Sequence, residues 1–420
     1  MKLSPFLPRL AVTAAFLFSI SSCSENLDSS GACDVLCPSI GGSVKTDTLL
    51  ASITLDTTVQ SLSGLGTEPA LLLANRGDTL DTRVVVRFDS LPQKFVPKGD
   101  TSQAIKSVDS AYILFHLDTL SIKGTDPVTI EAYDVDTTAN DTATADVLAL
   151  FRPDRFISSQ TFARTQLVDS LKYYIDNATV LSKLQNGEHL RIGLRATGPS
   201  SSQLTLGSSE GGLSPILFFR ATPDTATAPL TVIPLSKTPA NESLVAQRLS
   251  DYTIIAKAPP SAPPSVLSVG GLPPRRTYLK FDIPSKYIDS STVVRATLLL
   301  NQIPNAALDP GDTIRVVPQV VLAGTVVTDP TKAAQIIANI SADTLKLTAG
   351  NAGRIDVELA AAFSLWRTQK PDTLPRAIVL KSNVEGTSPI ELRFSSSEDI
   401  SALRPRLRIS YTTRVPLGLP

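Results

Sequence analysis

From about Ser43 onward, the chain alternates short apolar runs with Pro, Gly, Asp and Ser, a pattern typical of many β-strands separated by turns. Within the runs, every second residue stays apolar while its neighbours vary, as in Val86 and Phe88 or in Leu279 and Phe281. A period of two turns one face of a strand toward a core and the other toward solvent, as in antiparallel sandwiches. The pattern therefore predicts an all-β fold.

Five strand-like segments occur twice, in the same order, with the second copy between 185 and 193 residues after the first. The matched ranges are 83–89 with 276–282, 108–115 with 293–300, 190–195 with 376–381, 204–208 with 392–396, and 215–219 with 405–409. Repetition of this kind is typical of a duplicated structural unit. A Pro- and Thr-rich linker at 221–229 separates the two sets. We therefore predict two tandem antiparallel β-sandwiches, at 43–222 and 223–420, each long enough to bury a core.

Each half also contains one segment that suits a helix better than a strand. Residues 360–368 are predicted to form one or two helical turns, and 177–185 are their counterpart in the first half. Asn177 is a plausible N-cap, and Gly187 lies just past the predicted end.

The second of these segments contains Trp366, the single Trp of the chain. Phe363, Ala362 and Leu359 precede it by three, four and seven residues, which places them on the same helical face. This stripe favours a core position for Trp366 over a role as an exposed platform for a ligand.

The first 22 residues have the features of an export signal. Lys2 and Arg9 supply positive charge, and the apolar run 10–20 is too short to span a bilayer comfortably. The run ends in Ile20-Ser21-Ser22-Cys23, which resembles the lipobox of bacterial lipoproteins. The alternative is an ordinary signal peptide followed by an incidental Cys.

The lipobox resemblance implies that the signal peptide 1–22 is removed and that Cys23 is lipidated. Several acyl chains on one Cys give stable anchoring, so the membrane is an expected partner through the lipid. In such lipoproteins Ser24, rather than Asp, after the Cys implies delivery to the outer membrane of a Gram-negative bacterium. We therefore expect the protein in the cell envelope.

The tether that follows, 23–42, is rich in Ser and Gly and is expected to be flexible. It contains Cys33 and Cys37. An exported compartment permits a small disulfide between them, and two free thiols are the alternative. A C-x-x-x-C pair with no further Cys or His nearby is a poor zinc site.

The second half carries an ordered series of short motifs between residues 245 and 414. They are 251–254, 266–270, 277–282, 294–300, 355–357 before Trp366, 377–380, and the closing 404–411. The series resembles the DNRLRE-type domain of bacterial exported proteins. That resemblance implies a jelly-roll-like sandwich related to some carbohydrate-binding modules, in surface accessory domains of which some bind polysaccharide. The first half follows the same plan without the Trp and without the closing Pro-Arg-Leu-Arg.

Composition excludes several classes of protein. Lys plus Arg and Asp plus Glu each total 39, so no excess of positive charge favours a nucleic acid partner. Hydrophobic residues make up 42% and charged residues 19%, which excludes a disordered charged tail and a polytopic membrane protein.

Catalytic and metal-binding motifs are sparse. The two histidines, His116 and His189, are predicted to be ordinary surface residues. The sequence contains no nucleophile elbow, no HExxH helix and no phosphate-binding loop. We therefore expect no enzymatic activity, no cofactor and no metal site.

The acidic residues have structural explanations. Asp89 and Asp282 occupy matching strand ends and are predicted to cap turns. A Thr-rich loop holds four further Asp residues that either bind Ca²⁺ or, as we favour, are solvated: Asp134, Asp136, Asp141 and Asp146.

Aromatic residues are the remaining candidates for ligand contact, because a sugar packs its C–H face against a ring. Tyr278 alternates with Leu279 and is predicted to be exposed, as a possible ligand-facing aromatic. The other candidates are Tyr173, Tyr174, Tyr252 and Tyr287. The sequence thus predicts a non-catalytic, lipid-anchored cell-envelope protein that acts as a structural or scaffold module beside an envelope protein partner. The alternative is a surface lipoprotein that binds polysaccharide.

Overall fold

The computed structural model describes most residues between 44 and 414. The described ranges are 44–49, 53–61, 65–96, 101–124, 127–136, 143–198, 201–222, 229–235, 249–322, 337–339, 344–368, 375–400 and 402–414. Within these ranges, no helix is long and apolar enough to cross a membrane. The predictions for Cys23, Cys33 and Cys37 fall outside the described residues and stay predictions.

Strands dominate the described residues. In the N-terminal half they are β1 (Lys45–Leu49), β2 (Ile53–Gln60), β3 (Ala70–Asn75), β4 (Asp81–Phe88), β5 (Lys94–Phe95), β6 (Gln103–Ala104), β7 (Ser107–His116), β8 (Lys123–Gly124), β9 (Val128–Asp134), β10 (Phe156–Phe162), β11 (Ser170–Tyr174), β12 (Leu190–Thr197), β13 (Ser202–Gly207) and β14 (Ile216–Thr222). In the C-terminal half they are β15 (Leu230–Val232), β16 (Asp251–Lys257), β17 (Val266–Gly270), β18 (Arg275–Phe281), β19 (Ser291–Ile303), β20 (Thr313–Val321), β21 (Ile337–Asn339), β22 (Leu345–Thr348), β23 (Gly353–Glu358), β24 (Ala377–Ser382), β25 (Glu391–Ser395) and β26 (Arg406–Thr413). The helices are α1 (Thr144–Leu148), α2 (Asn177–Asn186), α3 (Ser285–Ile288) and α4 (Ala360–Thr368), with 3-10 turns at Thr119–Ser121, Pro153–Arg155 and Arg164–Gln166.

The strands pair antiparallel, and the predicted all-β fold is confirmed. In the first sandwich, one sheet has the order β10-β9-β12-β4-β3-β13-β8 and the other the order β11-β7-β14-β15. Their inner faces enclose a core that includes Val86, Phe88, Phe115, Ile192 and Phe219. The alternation in the sequence therefore marks the inward-facing residues of this half correctly.

The second sandwich is one continuous sheet that folds over on itself. Its order is β1-β26-β19-β25-β17-β18-β24-β20-β21, with β23 beside β19 and β22 beside β20. The long strand β19 joins the two layers, because its last residues, Gln302 and Ile303, pair with β25 while earlier residues pair with β26. Leu279, Phe281 and Leu298 lie in the enclosed core. Phe88 and Phe281, which match in the repeated sequence, are thus each buried in the core of a sandwich.

The two predicted helical segments are present. Helix α2 begins at Asn177, but its N-cap is Asp176, whose carboxylate accepts a hydrogen bond from the Thr179 amide at 2.9 Å. The predicted cap, Asn177, is instead the first helical residue, and the true cap lies one position earlier, because the two neighbouring residues are equally suitable as caps. Gly187 ends the helix at φ 66°, a left-handed conformation that glycine adopts without strain.

Helix α4 packs its apolar stripe into the core of the second sandwich. Trp366 is 3% exposed, and its ring lies 5.4 Å from that of Phe363 and 5.9 Å from that of Phe281. Leu359 and Ala362 are fully buried on the same face. Trp366 is therefore a packing residue, as the stripe predicts.

Strands at the start of each half lie in the sandwich of the other half. β1 pairs with β26 and β2 pairs with β18, so both belong to the second sandwich. In return, β15 pairs with β14 and β16 pairs with β4, so both belong to the first. Sheet membership thus differs from the predicted boundaries at 43–222 and 223–420, and from the core predicted at 245–414. Local alternation identifies a strand, but it does not tell which sheet the strand joins.

Direct contacts also connect the two sandwiches. Leu72 and Ala74 of β3 form a buried apolar cluster with Leu272 from the second sandwich. Near this cluster, Arg76 forms a two-pronged ion pair with Asp309. The exchanged strands and this contact join the two sandwiches into one body.

Candidate functional site

The outer face of the sheet β11-β7-β14 carries three aromatic rings side by side. In register, Tyr112 of β7 lies opposite Tyr174 of β11 and opposite Phe218 of β14. Side chains directly opposite each other project from the same face of a sheet, so the three rings form a line across three strands. We call Phe218, Tyr112 and Tyr174 the aromatic row.

The rings of the aromatic row contact one another. Those of Tyr112 and Phe218 are stacked, with centroids 5.1 Å apart and planes 13° apart. The ring of Tyr174 is tilted by 55° to Tyr112, with centroids 5.8 Å apart. Tyr174 is 56% exposed, and the other two rings are half-buried. The row therefore presents aromatic surface to solvent on a rigid support.

A cation and two aliphatic side chains surround the row. The Lys172 ammonium nitrogen lies 5.4 Å from the centre of the Tyr112 ring, within the range of a cation–π interaction. Leu114 and Ile216, which are opposite each other in register, are half-buried on the same face. The arrangement combines apolar contact area with positive charge, which suits recognition of a ligand that has both apolar faces and polar groups.

Gln160 holds the outermost ring of the row in place. The Gln160 Nε2 atom donates a hydrogen bond to the Tyr174 carbonyl at 2.6 Å, and the Tyr174 amide donates to Gln160 Oε1 at 3.2 Å. These two bonds satisfy the main chain of β11 where a neighbouring strand would otherwise pair. The backbone beneath Tyr174 is thereby fixed.

The corresponding face of the second sandwich is charged. The predicted repeat places Thr297 at the position of Tyr112 and Arg408 at that of Phe218. Arg408 forms an ion pair with Asp356 at 3.3 Å, and Arg354 holds the same carboxylate through two hydrogen bonds, which lower its pKa. Two copies of one fold thus carry different outer faces, which argues that the rings serve a purpose specific to the first sandwich.

Tyr278, the predicted ligand-facing aromatic, is fully buried. It lies on the face opposite Leu279, as expected, but this face contains a second apolar cluster with Val321, Val379 and the exchanged-strand residue Leu55. The prediction of exposure is wrong because a strand from more than 200 residues earlier in the chain adds apolar side chains beside the ring.

Three of the other tyrosine candidates are also core residues. Tyr252 belongs to the cluster on the outer face of β4, and Tyr287 packs edge-on against Tyr411 at 5.0 Å. Tyr173 points inward from β11, and burial raises its pKa to about 12. Only Tyr174, among the five tyrosines singled out from the sequence, presents its ring to solvent.

Sequence reasoning missed Tyr112 and Phe218. Their signal was present, because Tyr112 alternates with the core residues Ile113 and Ala111, and Phe218 with Leu217 and Phe219. What the sequence alone does not provide is the register that places the two rings in one row.

Within the described part of the chain, the histidines and the aspartates of the Thr-rich loop do not form a metal site. His116 is half-buried, and His189 Nδ1 lies 3.9 Å from Asp136. Lys183 reaches both Asp134, at 3.4 Å, and Asp136, at 3.8 Å, so these carboxylates are ion-paired rather than simply solvated. Among the residues that the structure describes, which exclude Asp141, no group of acidic, Cys or His side chains could hold a metal ion.

The matching aspartates at the strand ends differ in environment. Asp89 is buried between two arginines: it accepts hydrogen bonds from Arg191 at 2.9 and 3.0 Å and from Arg87 at 3.2 Å. Asp282 is exposed. The prediction of a turn cap thus does not fit Asp89, because buried cations hold its carboxylate in the interior.

Three acidic residues interact where the exchanged strand β16 begins. Asp251 is fully buried, and its Oδ2 atom accepts hydrogen bonds from the Ser209 amide at 3.0 Å and hydroxyl at 2.8 Å. Burial raises the pKa of Glu68 to about 7. Burial, together with the charge of Asp251, raises the pKa of Glu210, and burial also raises that of Asp251. We call Glu68, Glu210 and Asp251 the carboxyl cluster.

Comparison with known proteins gives only distant similarities. No protein-family model and no curated protein matches the chain, so the DNRLRE resemblance stays a prediction. Among solved structures, the CBM22-1-CBM22-2 tandem domain of Xyn10C from Paenibacillus barcinonensis is 9% identical, over 89% of this chain and 92% of that one, with a TM-score of 0.15. The C-terminal domain of AspA, an antigen I/II-family protein of Streptococcus pyogenes, is 13% identical, over 86% and 91%, with a TM-score of 0.17. At these scores neither similarity carries an argument about function.

Proposed function

We propose that the protein is a non-catalytic binding protein of the cell envelope and that its aromatic row binds polysaccharide. The observation that supports the proposal is the line of three rings on an open sheet face, beside Lys172. A sugar ring presents an apolar C–H face, and aromatic side chains offer large, stiff apolar surfaces for it to contact. Tyrosine hydroxyls and the ammonium group of Lys172 supply hydrogen bonds to sugar oxygens.

Affinity gel electrophoresis tests this proposal. Wild-type protein and two variants are run through native gels that contain one polysaccharide each, chosen from a panel of neutral and acidic polymers. Tyr174→Ala removes the most exposed ring of the row, and Phe156→Ala removes a ring that is 46% exposed on β10, outside the row. We expect at least one polymer to retard the wild type and Phe156→Ala but not Tyr174→Ala. Equal migration of all three proteins in every gel would refute the proposal.

The location is part of the same proposal. We infer that Cys23 carries the lipid and anchors the protein in the outer membrane, as its lipobox-like sequence suggests. Metabolic labelling with a tagged fatty acid should mark the wild type and not Cys23→Ala. Equal labelling of both would rule the anchor out.

A spacer or scaffold is the second candidate, and the reciprocal exchange of strands favours it. Strands β1 and β2 fix one half in the sheet of the other, and β16 does the reverse. The exchanged strands connect the two sandwiches rigidly, and a scaffold that keeps its binding partners apart requires such a rigid connection. If no polysaccharide gel retards the wild-type protein, the scaffold function remains as the candidate.

A further inference from the structure

Two of the exchanged strands, β2 and β16, occupy equivalent places. β2 lies beside β18 and enters where β17 separates from it, after the Gly270–Arg275 pair. β16 lies beside β4 and enters where β3 separates from it, after the Ala74–Thr82 pair. Each sandwich therefore contains a slot between the two strands of a hairpin, and a strand from the other half fills it.

The two slots hold their strands through the same acidic anchor. In the second sandwich, Asp56 accepts hydrogen bonds from the Ser397 amide and hydroxyl, both at 2.5 Å. In the first, Asp251 accepts from the Ser209 amide at 3.0 Å and hydroxyl at 2.8 Å. Ser209 and Ser397 are matching positions of the repeat, and each is the second Ser of a Ser-Ser-Glu run.

A second anchor lies two residues further along each strand. The Thr58 hydroxyl oxygen accepts a hydrogen bond from the Ser268 amide at 2.8 Å, and the Thr253 hydroxyl oxygen accepts one from the Leu72 amide at 3.0 Å. The two donors, Ser268 and Leu72, lie on β17 and β3, the hairpin strands that are separated from β18 and β4 at this point. Each slot thus forms side-chain hydrogen bonds with the same short pattern, Asp-x-Thr, on the strand it receives.

We propose that each slot is a selective binding site for a strand that contains Asp-x-Thr, and that a second copy of this chain can supply the strand. Strand β2 is held in its slot by strand contacts, while its chain continues into β3 of the other sandwich. The second sandwich of another molecule offers the same anchors in the same register. Exchange of an identical element between copies creates a dimer without any new type of contact.

The protein concentration determines whether a slot holds a strand from its own chain or a strand from a second copy. Within one molecule the donor strands and the slot are connected, which gives the internal arrangement a high effective concentration. The exchanged dimer is therefore expected to increase with protein concentration. An unrelated strand that bears Asp-x-Thr is the competing occupant, and it would leave the chain monomeric.

Cysteine cross-linking in the full chain tests the proposal. Thr46 of β1 and Ser410 of β26 are opposite each other, with side-chain oxygens 2.9 Å apart at an exposed position. Chains with Thr46→Cys and chains with Ser410→Cys, all with the three natural cysteines changed to Ser, are co-expressed and then oxidised. A chain that carries both substitutions is the positive control for geometry, and it should close an internal disulfide.

The matched control uses two strands that are not exchanged. Thr129 of β9 and Thr161 of β10 are also opposite and exposed, with side-chain oxygens 2.9 Å apart, and both lie in the first sandwich. Co-expression of Thr129→Cys chains with Thr161→Cys chains should give no cross-linked heterodimer.

We expect a disulfide-linked heterodimer from the Thr46→Cys and Ser410→Cys mixture, and loss of that band when Asp56→Asn is added to the Thr46→Cys chain. A yield no higher than that of the control pair would overturn the proposal of a second copy. A band that Asp56→Asn leaves unchanged would overturn the recognition of Asp-x-Thr.

Discussion

Removal of Trp366 tests how strongly the exchanged strands couple the two sandwiches. The ring is 3% exposed and contacts the rings of Phe281 and Phe363. Truncation of a buried Trp to Ala costs about 3–5 kcal/mol. This is a large share of the stability of about 5–15 kcal/mol that is typical of a domain.

The size of the unfolding unit converts this energy into a shift in melting temperature. At about 2.1 cal/mol/K per residue, a coupled body of about 370 residues has an unfolding entropy of about 0.8 kcal/mol/K, so Trp366→Ala should lower its Tm by about 4–6 °C. A single sandwich of about 190 residues has roughly half that entropy, and its Tm would fall by about 8–13 °C. Because strands are exchanged in both directions, we predict one shared transition and the smaller shift.

Differential scanning calorimetry of the wild type and Trp366→Ala measures both the number of transitions and the shift. Ser364→Ala is the matched control, because Ser364 is exposed on the same helix and its replacement should change stability by no more than about 0.5 kcal/mol. Two transitions, of which only one moves by the larger amount, would refute the coupling. An unchanged Tm would refute the packing role of Trp366.

Two further predictions concern buried charge. The carboxyl cluster has raised pKa values in the folded protein, with that of Glu68 at about 7, so the folded state binds more protons than the unfolded state between about pH 4.5 and pH 7. The free energy of unfolding in urea should therefore fall as the pH rises through this window, and the fall should be smaller in Glu68→Gln. A rise in the free energy of unfolding with pH would contradict the raised pKa values. Asp89→Ala should cost about 3–5 kcal/mol because it removes the buried carboxylate that accepts hydrogen bonds from Arg87 and Arg191, whereas Asp282→Ala should change stability by no more than about 0.5 kcal/mol. Equal effects of these two substitutions in urea denaturation would contradict the difference in burial.

Strand positions and the inward faces of the strands could be predicted from the sequence because both depend on local alternation. Val86, Phe88, Leu279 and Phe281 are buried as their period of two requires. The stripe that ends in Trp366 likewise defines a helix and its buried face. These features need no knowledge of which segments meet in space.

Features that depend on pairing between distant segments could not be predicted in this way. The burial of Tyr278 requires Leu55 from a strand of the other half, and the alternation around Tyr278 contains no trace of it. The sequence contains one weak indication of the strand exchange: the pattern Asp-x-Thr occurs at Asp56-x-Thr58 and again, 195 residues later, at Asp251-x-Thr253. Three residues are too few to identify a slot without the register that the sheets provide.

The candidate site was predictable only in part. Tyr174 was among the candidates, and Tyr112 and Phe218 alternate with buried neighbours in the expected way. Their convergence depends on the order β11-β7-β14, which brings together strands that are distant in the chain.

Calorimetric titration with an oligosaccharide of the retarding polymer is the measurement that tests the central claim most directly. Wild-type protein and Phe156→Ala should bind with the same Kd. Tyr174→Ala should bind at least about tenfold more weakly, which corresponds to about 1.4 kcal/mol, because it loses an exposed ring from the row. If all three proteins bind the oligosaccharide with equal Kd, the aromatic row is not the binding site.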